Sequence, residues 1–197
     1  KDAGYHVTAL VLDAADYGVP QKRKRAFFLV TGRELNVKNI MPMLARLKRP
    51  KTSVEDALRG LPRPRVRPAR YDDEQDSGVV PNHFAMRHSA AVREKIAAIA
   101  PGTGPMSYRR LHPTRVSNTL FSGHRAPPAH FRAARSITVR EAARLQGFPD
   151  SFRVYGSFAN QMEQVTNAVP PPLTKAVLRV LRDLMQLTPE VKCVPRI

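Results

Sequence analysis

Between Arg46 and Arg70 the chain carries nine Lys and Arg residues against only Glu55 and Asp56, and Pro50, Pro62, Pro64 and Pro68 interrupt the run. Proline fixes φ, lacks an amide hydrogen and drives its predecessor out of the helical region, so an extended basic loop is expected here rather than a continuous helix. Such a loop can track a phosphate backbone or simply be disordered. Charge over the whole chain points the same way. With 33 Lys and Arg against 16 Asp and Glu, the 197 residues carry a formal net charge of +17. That balance argues against a handler of small neutral metabolites and for a polyanionic partner, either nucleic acid or an acidic membrane surface. The membrane is the weaker choice, because no apolar run approaches the roughly 18 residues of a span. The lone Cys193 excludes an internal disulfide framework and a Cys-rich zinc site, and the six His show no ligand spacing, so no metal is expected.

Order is concentrated at the two ends. His6 to Leu12 and Ala26 to Thr31 are short apolar runs around Asp16-Tyr17-Gly18-Val19-Pro20, a strand, loop, strand pattern. Lys22-Arg23-Lys24-Arg25 leads into the second strand, where alternation puts Arg23 and Arg25 on one face. Charge alone leaves two readings of that run: a guanidinium grip on phosphate or a base edge, or a solvated strand end. A helix is expected from about Ser89 to Ala100, stopped by Pro101-Gly102. Thr138 with Glu141 three positions later forms a capping box that starts a helix ending at Gly147 and Pro149. A last helix begins at Pro171 or Pro172, with Leu173, Val177, Val180 and Leu184 as its apolar stripe. Lys1 opens directly onto an apolar segment, so the chain reads as a fragment or processed subunit.

Three segments carry a family resemblance. The first is Gly18-Val19-Pro20-Gln21-Lys22-Arg23-Lys24-Arg25. The second is Tyr108-Arg109-Arg110-Leu111-His112-Pro113 with Ser117-Asn118-Thr119-Leu120. The third runs from Thr138 through Leu145-Gln146-Gly147-Phe148-Pro149-Asp150 to Gln164-Val165-Thr166-Asn167-Ala168-Val169-Pro170-Pro171. In this order they resemble the eighth, ninth and tenth motifs of the C5-cytosine DNA methyltransferases, over residues 1–32 and about 108–187. The resemblance implies an α/β fold. Residues 1–32 would supply edge strands of a Rossmann-like S-adenosylmethionine-dependent methyltransferase domain. Residues 33–135 would form a small, irregular, mostly-β target-recognition domain, and 136–197 would return as helices to the catalytic domain.

Enzymes of that family flip a cytosine out of duplex DNA, attack C6 with a Cys thiolate, methylate C5 from S-adenosylmethionine, and eliminate the C5 proton and the thiolate. Arg23 and Arg25 match the motif arginines that contact the flipped cytosine and its phosphates, and Gln21 matches the position supporting their loop. Asn167, Ala168 and Val169 match the stretch lining the S-adenosylmethionine pocket, with Thr166 where Gly is usual. Arg63, Arg65 and Arg67 in the basic run, with Arg109 and Arg110, are the expected contacts to double-stranded DNA. The family's Pro-Cys-Gln nucleophile motif, its Glu-Asn-Val and its Phe-x-Gly-x-Gly do not occur in the chain. The expectation is a C-terminal part or subunit, inactive alone, that meets an N-terminal catalytic half on the same polypeptide or another. A noncatalytic DNA-binding descendant is the alternative. A cytoplasmic, DNA-associated bacterial protein of a restriction-modification system, with no membrane partner, completes the expectation.

Overall fold

A computed structural model of the chain describes residues 4–32, 34–66, 80–106, 108–121 and 127–185. Strands β1 (His6–Asp13) and β2 (Lys24–Thr31) pair antiparallel from His6 opposite Thr31 to Asp13 opposite Lys24. The turn between them is built on Asp13. Its carboxylate accepts from the amides of Ala15 and Arg23, both at 3.1 Å, closing a 3-10 turn over Ala14–Asp16. Gly18, at φ +81°, then takes a left-handed conformation that other residues adopt only with strain.

Both faces of this ribbon are apolar, yet only one is covered. Leu10, Leu12 and Leu29 face a core shared with helix α1 (Val37–Arg46) and helix α6 (Pro171–Met185) through Ile40, Leu44, Leu173, Val177 and Val180. On the opposite face Val7, Val11, Phe28 and Val30 are between 57% and 68% exposed. The shared core crosses residue 33, the expected edge of the recognition region, because Leu35, Ile40 and Leu44 bury with the ribbon.

A second core joins helix α2 (Val54–Leu58), helix α4 (Val139–Leu145) and helix α5 (Phe158–Asn167) through Val54, Leu58, Leu111, Leu120, Ile137, Leu145, Met162 and Val165. Strands β3 (Arg65–Val66) and β4 (Phe84–Ala85) form a two-residue parallel pair, and helix α3 spans Ala90–Ala98. The mostly-β makeup expected for 33–135 is therefore corrected. Its described residues carry three helices and two minimal strands, since the apolar side chains there recur at helical spacing and bury against α4 and α6. The extended reading of Arg46–Arg70 gives way in part too: Ser53 caps α2 by accepting from the Asp56 amide.

Helix α4 forms as expected. Thr138 and Glu141 make the reciprocal capping box. At the other end, Gly147 N–H donates to Arg144 C=O and Phe148 N–H to Ala143 C=O, both at 2.9 Å, with Gly147 at φ +81°. That is the Schellman arrangement. A Cβ on Gly147 would also lie 2.8 Å from the Pro172 ring, so packing against α6 demands glycine as well.

Candidate functional site

The three motif segments meet at one junction. Residues 20–22 zip onto 117–119: Ser117 N–H donates to Pro20 C=O and Lys22 N–H to Ser117 C=O, both at 2.9 Å, while Thr119 Oγ1 donates to Lys22 C=O at 2.7 Å. Gln21, fully buried, spans all three. Its Oε1 accepts from Leu120 N–H at 3.2 Å and its Nε2 donates to Leu145 C=O at 3.3 Å, at the end of α4.

Arg23 lies beside it and is 3% exposed. Its Nη1 donates to Leu120 C=O at 3.2 Å and its Nη2 donates closely to Thr166 C=O. Thr166 sits in the last turn of α5, where its carbonyl would seek the amide of residue 170; that residue is Pro170, which has none. The side chain of Gln146 serves the same helix end, with Nε2 donating to Val165 C=O at 3.0 Å and Thr166 C=O at 3.3 Å. Thr166 itself is helical, its hydroxyl donating to Met162 C=O at 2.8 Å, so the position usual for Gly accepts a β-branched residue without positive φ. Arg23 Nε and Gln146 Oε1 are buried without partners, at a cost of about 1–3 kcal/mol each.

Arg25 has a different setting. It is half-buried on the same side of β2 as Arg23, and among the described residues its guanidinium donates only to its neighbour Lys24 C=O, at 2.9 Å. Burial lowers its pKa from the ordinary guanidinium value, and it remains a cation at neutral pH. Of the two motif arginines, Arg25 is open to a ligand and Arg23 is committed to carbonyls.

Next to the junction opens a groove of about 900 Å³. Lys22, Lys51, Arg109 and Arg115 line it together with His112 and Asn118. Asp56, the acid in its wall, is already bonded to Ser53 Oγ at 2.6 Å and Arg59 at 2.5 Å. The groove is thus lined by more positive than negative side chains, a balance that favours an anionic partner. Arg109 lies exposed in it, making only a long 3.5 Å bond to Gly102 C=O. Arg110 also lines the groove, but four of its five N–H donors go to the carbonyls of Ala97, Ile99, His130 and Arg132, which ties α3 to the 130–132 turn and leaves one Nη2 hydrogen. Arg63 is exposed, and Arg65, also exposed, stacks its guanidinium 4.9 Å above the Phe84 ring; neither lines the groove. Arg67 and Cys193 lie outside the described residues. Sequence reasoning missed Lys22, Lys51, Arg115 and Gln146, although Lys22 and Gln146 stood inside quoted motifs.

The model of the C-5 cytosine-specific DNA methylase family matches residues 1–183. The chain belongs to this family. It is 30% identical over 227 residues to the type II methyltransferase M.DdeI of Desulfomicrobium norvegicum, covering 90% of the chain and 54% of that protein. It is 33% identical over 188 residues to the type II methyltransferase M1.HphI of Haemophilus parahaemolyticus, covering 88% and 47%. Among solved structures, a protein described as a prophage-encoded DNA modification methyltransferase of E. coli superposes with a TM-score of 0.74 at 26% identity, over 93% of this chain and 62% of that one. The chain therefore spans about half the length of the curated relatives it matches.

C-5 cytosine methylases take their methyl group from S-adenosylmethionine. In the stretch expected at the cofactor, Asn167 and Val169 are exposed and Ala168 is half-buried, between α5 and α6. Among the described residues no group of three or more His, Cys, Asp or Glu is placed to hold a metal, and no helix is long and apolar enough to cross a membrane.

Proposed function

We propose that this chain is the C-terminal part of a DNA (cytosine-5) methyltransferase, acting on cytosine in duplex DNA within a bacterial cytoplasm. The observation that carries the reading is the junction itself. Gln21 and Arg23 bond Leu120, Leu145 and Thr166, up to 143 residues away in sequence, into one buried unit. It lies between the basic groove and the Asn167–Val169 wall, so a base held at one and a cofactor held at the other would be neighbours.

In this reading S-adenosylmethionine, when bound, supplies the methyl group. Asn167, Ala168 and Val169 orient it from one side. Arg25 holds the flipped nucleotide through its charge, Gln21 fixes the loop carrying Arg25, and Lys22, Lys51, Arg109 and Arg115 hold the strand around it. Residues 33–135 act as the target-recognition region, and 1–32 with 136–197 as the returning catalytic portion. The nucleophilic Cys belongs to an N-terminal half carrying Pro-Cys-Gln. The bare apolar face of Val7, Val11, Phe28 and Val30 supports this, since an uncovered sheet face of that kind calls for a further layer. Coverage of only half of each curated relative agrees with it.

The test is Arg25→Ala in the complete enzyme. Methyl transfer is expected to fall by about 100-fold, the scale of losing one placed charged donor, while duplex retention changes little. Equal losses in the two assays would contradict the assignment.

A further inference from the structure

We infer that Arg23 and Gln146 are positioning residues that couple the target-base loop to the cofactor wall by both donating to the Thr166 carbonyl. The inference rests on the proposed methyltransferase reading and adds to it a route between its two ligands.

Because Pro170 has no amide, the Thr166 carbonyl lacks its i+4 donor and needs one from outside the helix. Both donors come from outside α5: Gln146 from the end of α4, and Arg23 from the first motif segment, just before the strand that carries Arg25. A cation at a helix C-terminus is also favoured by the helix dipole. Asn167 follows Thr166 directly. Any shift in the 167–169 wall is therefore felt first at the carbonyl that Arg23 holds, and through Arg23 at the start of β2.

A merely structural role explains this arrangement poorly. No carboxylate among the described residues pairs with the Arg23 guanidinium, and Arg23 Nε and Gln146 Oε1 stay unpartnered in the interior. Apolar side chains of similar volume would fill this space without stranding polar atoms. A half-satisfied polar cluster at the meeting point of three segments is the pattern of a functional site that tolerates local cost.

The experiment uses the complete enzyme with duplex DNA, with and without S-adenosylhomocysteine as the cofactor probe. In the wild type the probe is expected to tighten duplex binding by a factor on the order of 5–150. Gln146→Met and Arg23→Met keep approximate volume while removing the donors. In both, tightening should fall below about 2-fold, with probe-free duplex affinity retained and KM for S-adenosylmethionine raised more than kcat is lowered. Arg23→Lys, which can serve one carbonyl, should keep part of the coupling and stands in should Arg23→Met fail to fold. Undiminished tightening in Gln146→Met or Arg23→Lys would overturn the inference. So would a wild type that methylates DNA but shows no tightening, whereas a wild type without methyl transfer would instead overturn the functional reading.

Discussion

Two arginines two residues apart, Arg23 and Arg25, share a face and have opposite tasks in the fold, because one donates to the end of α5 and the other, among the described residues, to its neighbour Lys24 C=O. His83 is a comparable case of a side chain decided by its partners. Its Nε2 lies 2.9 Å from Pro62 C=O, which can only accept, so Nε2 carries the proton and Nδ1 accepts from Thr138 Oγ1 at 2.9 Å. Burial lowers the pKa of His83 and of His130, favouring the neutral ring. Glu141 is also lowered: burial works against its charge, but the bidentate Arg135 at 2.7 and 2.8 Å and the Thr138 amide outweigh it. The signs follow from linkage. All three groups are depressed in the fold, so the unfolded chain binds more protons as pH falls and stability drops with it. The urea midpoint should be level above about pH 7, decline as pH falls below about 6.5 through the histidines, and decline again below about 4.3 as Glu141 titrates. His83→Gln, which keeps both hydrogen bonds without a titrating ring, should flatten the first decline. An unchanged pH profile would refute the role given to His83.

At the scale of elements, the sequence was most legible where local signals and tertiary packing agree. Thr138, Glu141 and Gly147 marked both ends of α4, and each makes the bond its type implies. Thr138→Ala removes the cap and the His83 partner together and should cost about 1–2 kcal/mol of stability by urea titration. A loss of a few tenths would mean that the cap is carried by Glu141 alone. Helix α1 was missed because Pro42 lies inside it, a residue that disfavours helix by about 3 kcal/mol. Burial of Ile40 and Leu44 against β1, β2 and α6 overrides that penalty. Helix α5 was legible in principle: Ser157 caps it, and Met162, Val165 and Thr166 repeat at helical spacing. Its end at Pro170 is the feature that motif matching alone could not interpret, since the consequence of a missing amide appears only when Arg23 and Gln146 are seen to supply it.

At the scale of the molecule, the basic stretch between Arg46 and Arg70 divides. Part of it folds onto the two cores as α1 and α2, Lys51 faces the groove, and Arg63 and Arg65 stay on the surface. Charge pattern pointed to a polyanionic partner, whereas the groove's lining depended on contacts between residues far apart in sequence, such as Lys22 with Ser117 and Thr119. The uncovered face of β1 and β2 has the same character: the runs His6 to Leu12 and Ala26 to Thr31 read as apolar strands, and only the packed structure separates the side that is filled from the side that stays bare. The account stands most directly on one measurement, transfer of labelled methyl from S-adenosylmethionine to duplex DNA by this chain alone and together with the N-terminal half carrying Pro-Cys-Gln. Label on cytosine C5 only when both parts are present is the predicted result. Transfer by this chain alone, or none from the pair while duplex binding persists, would contradict it.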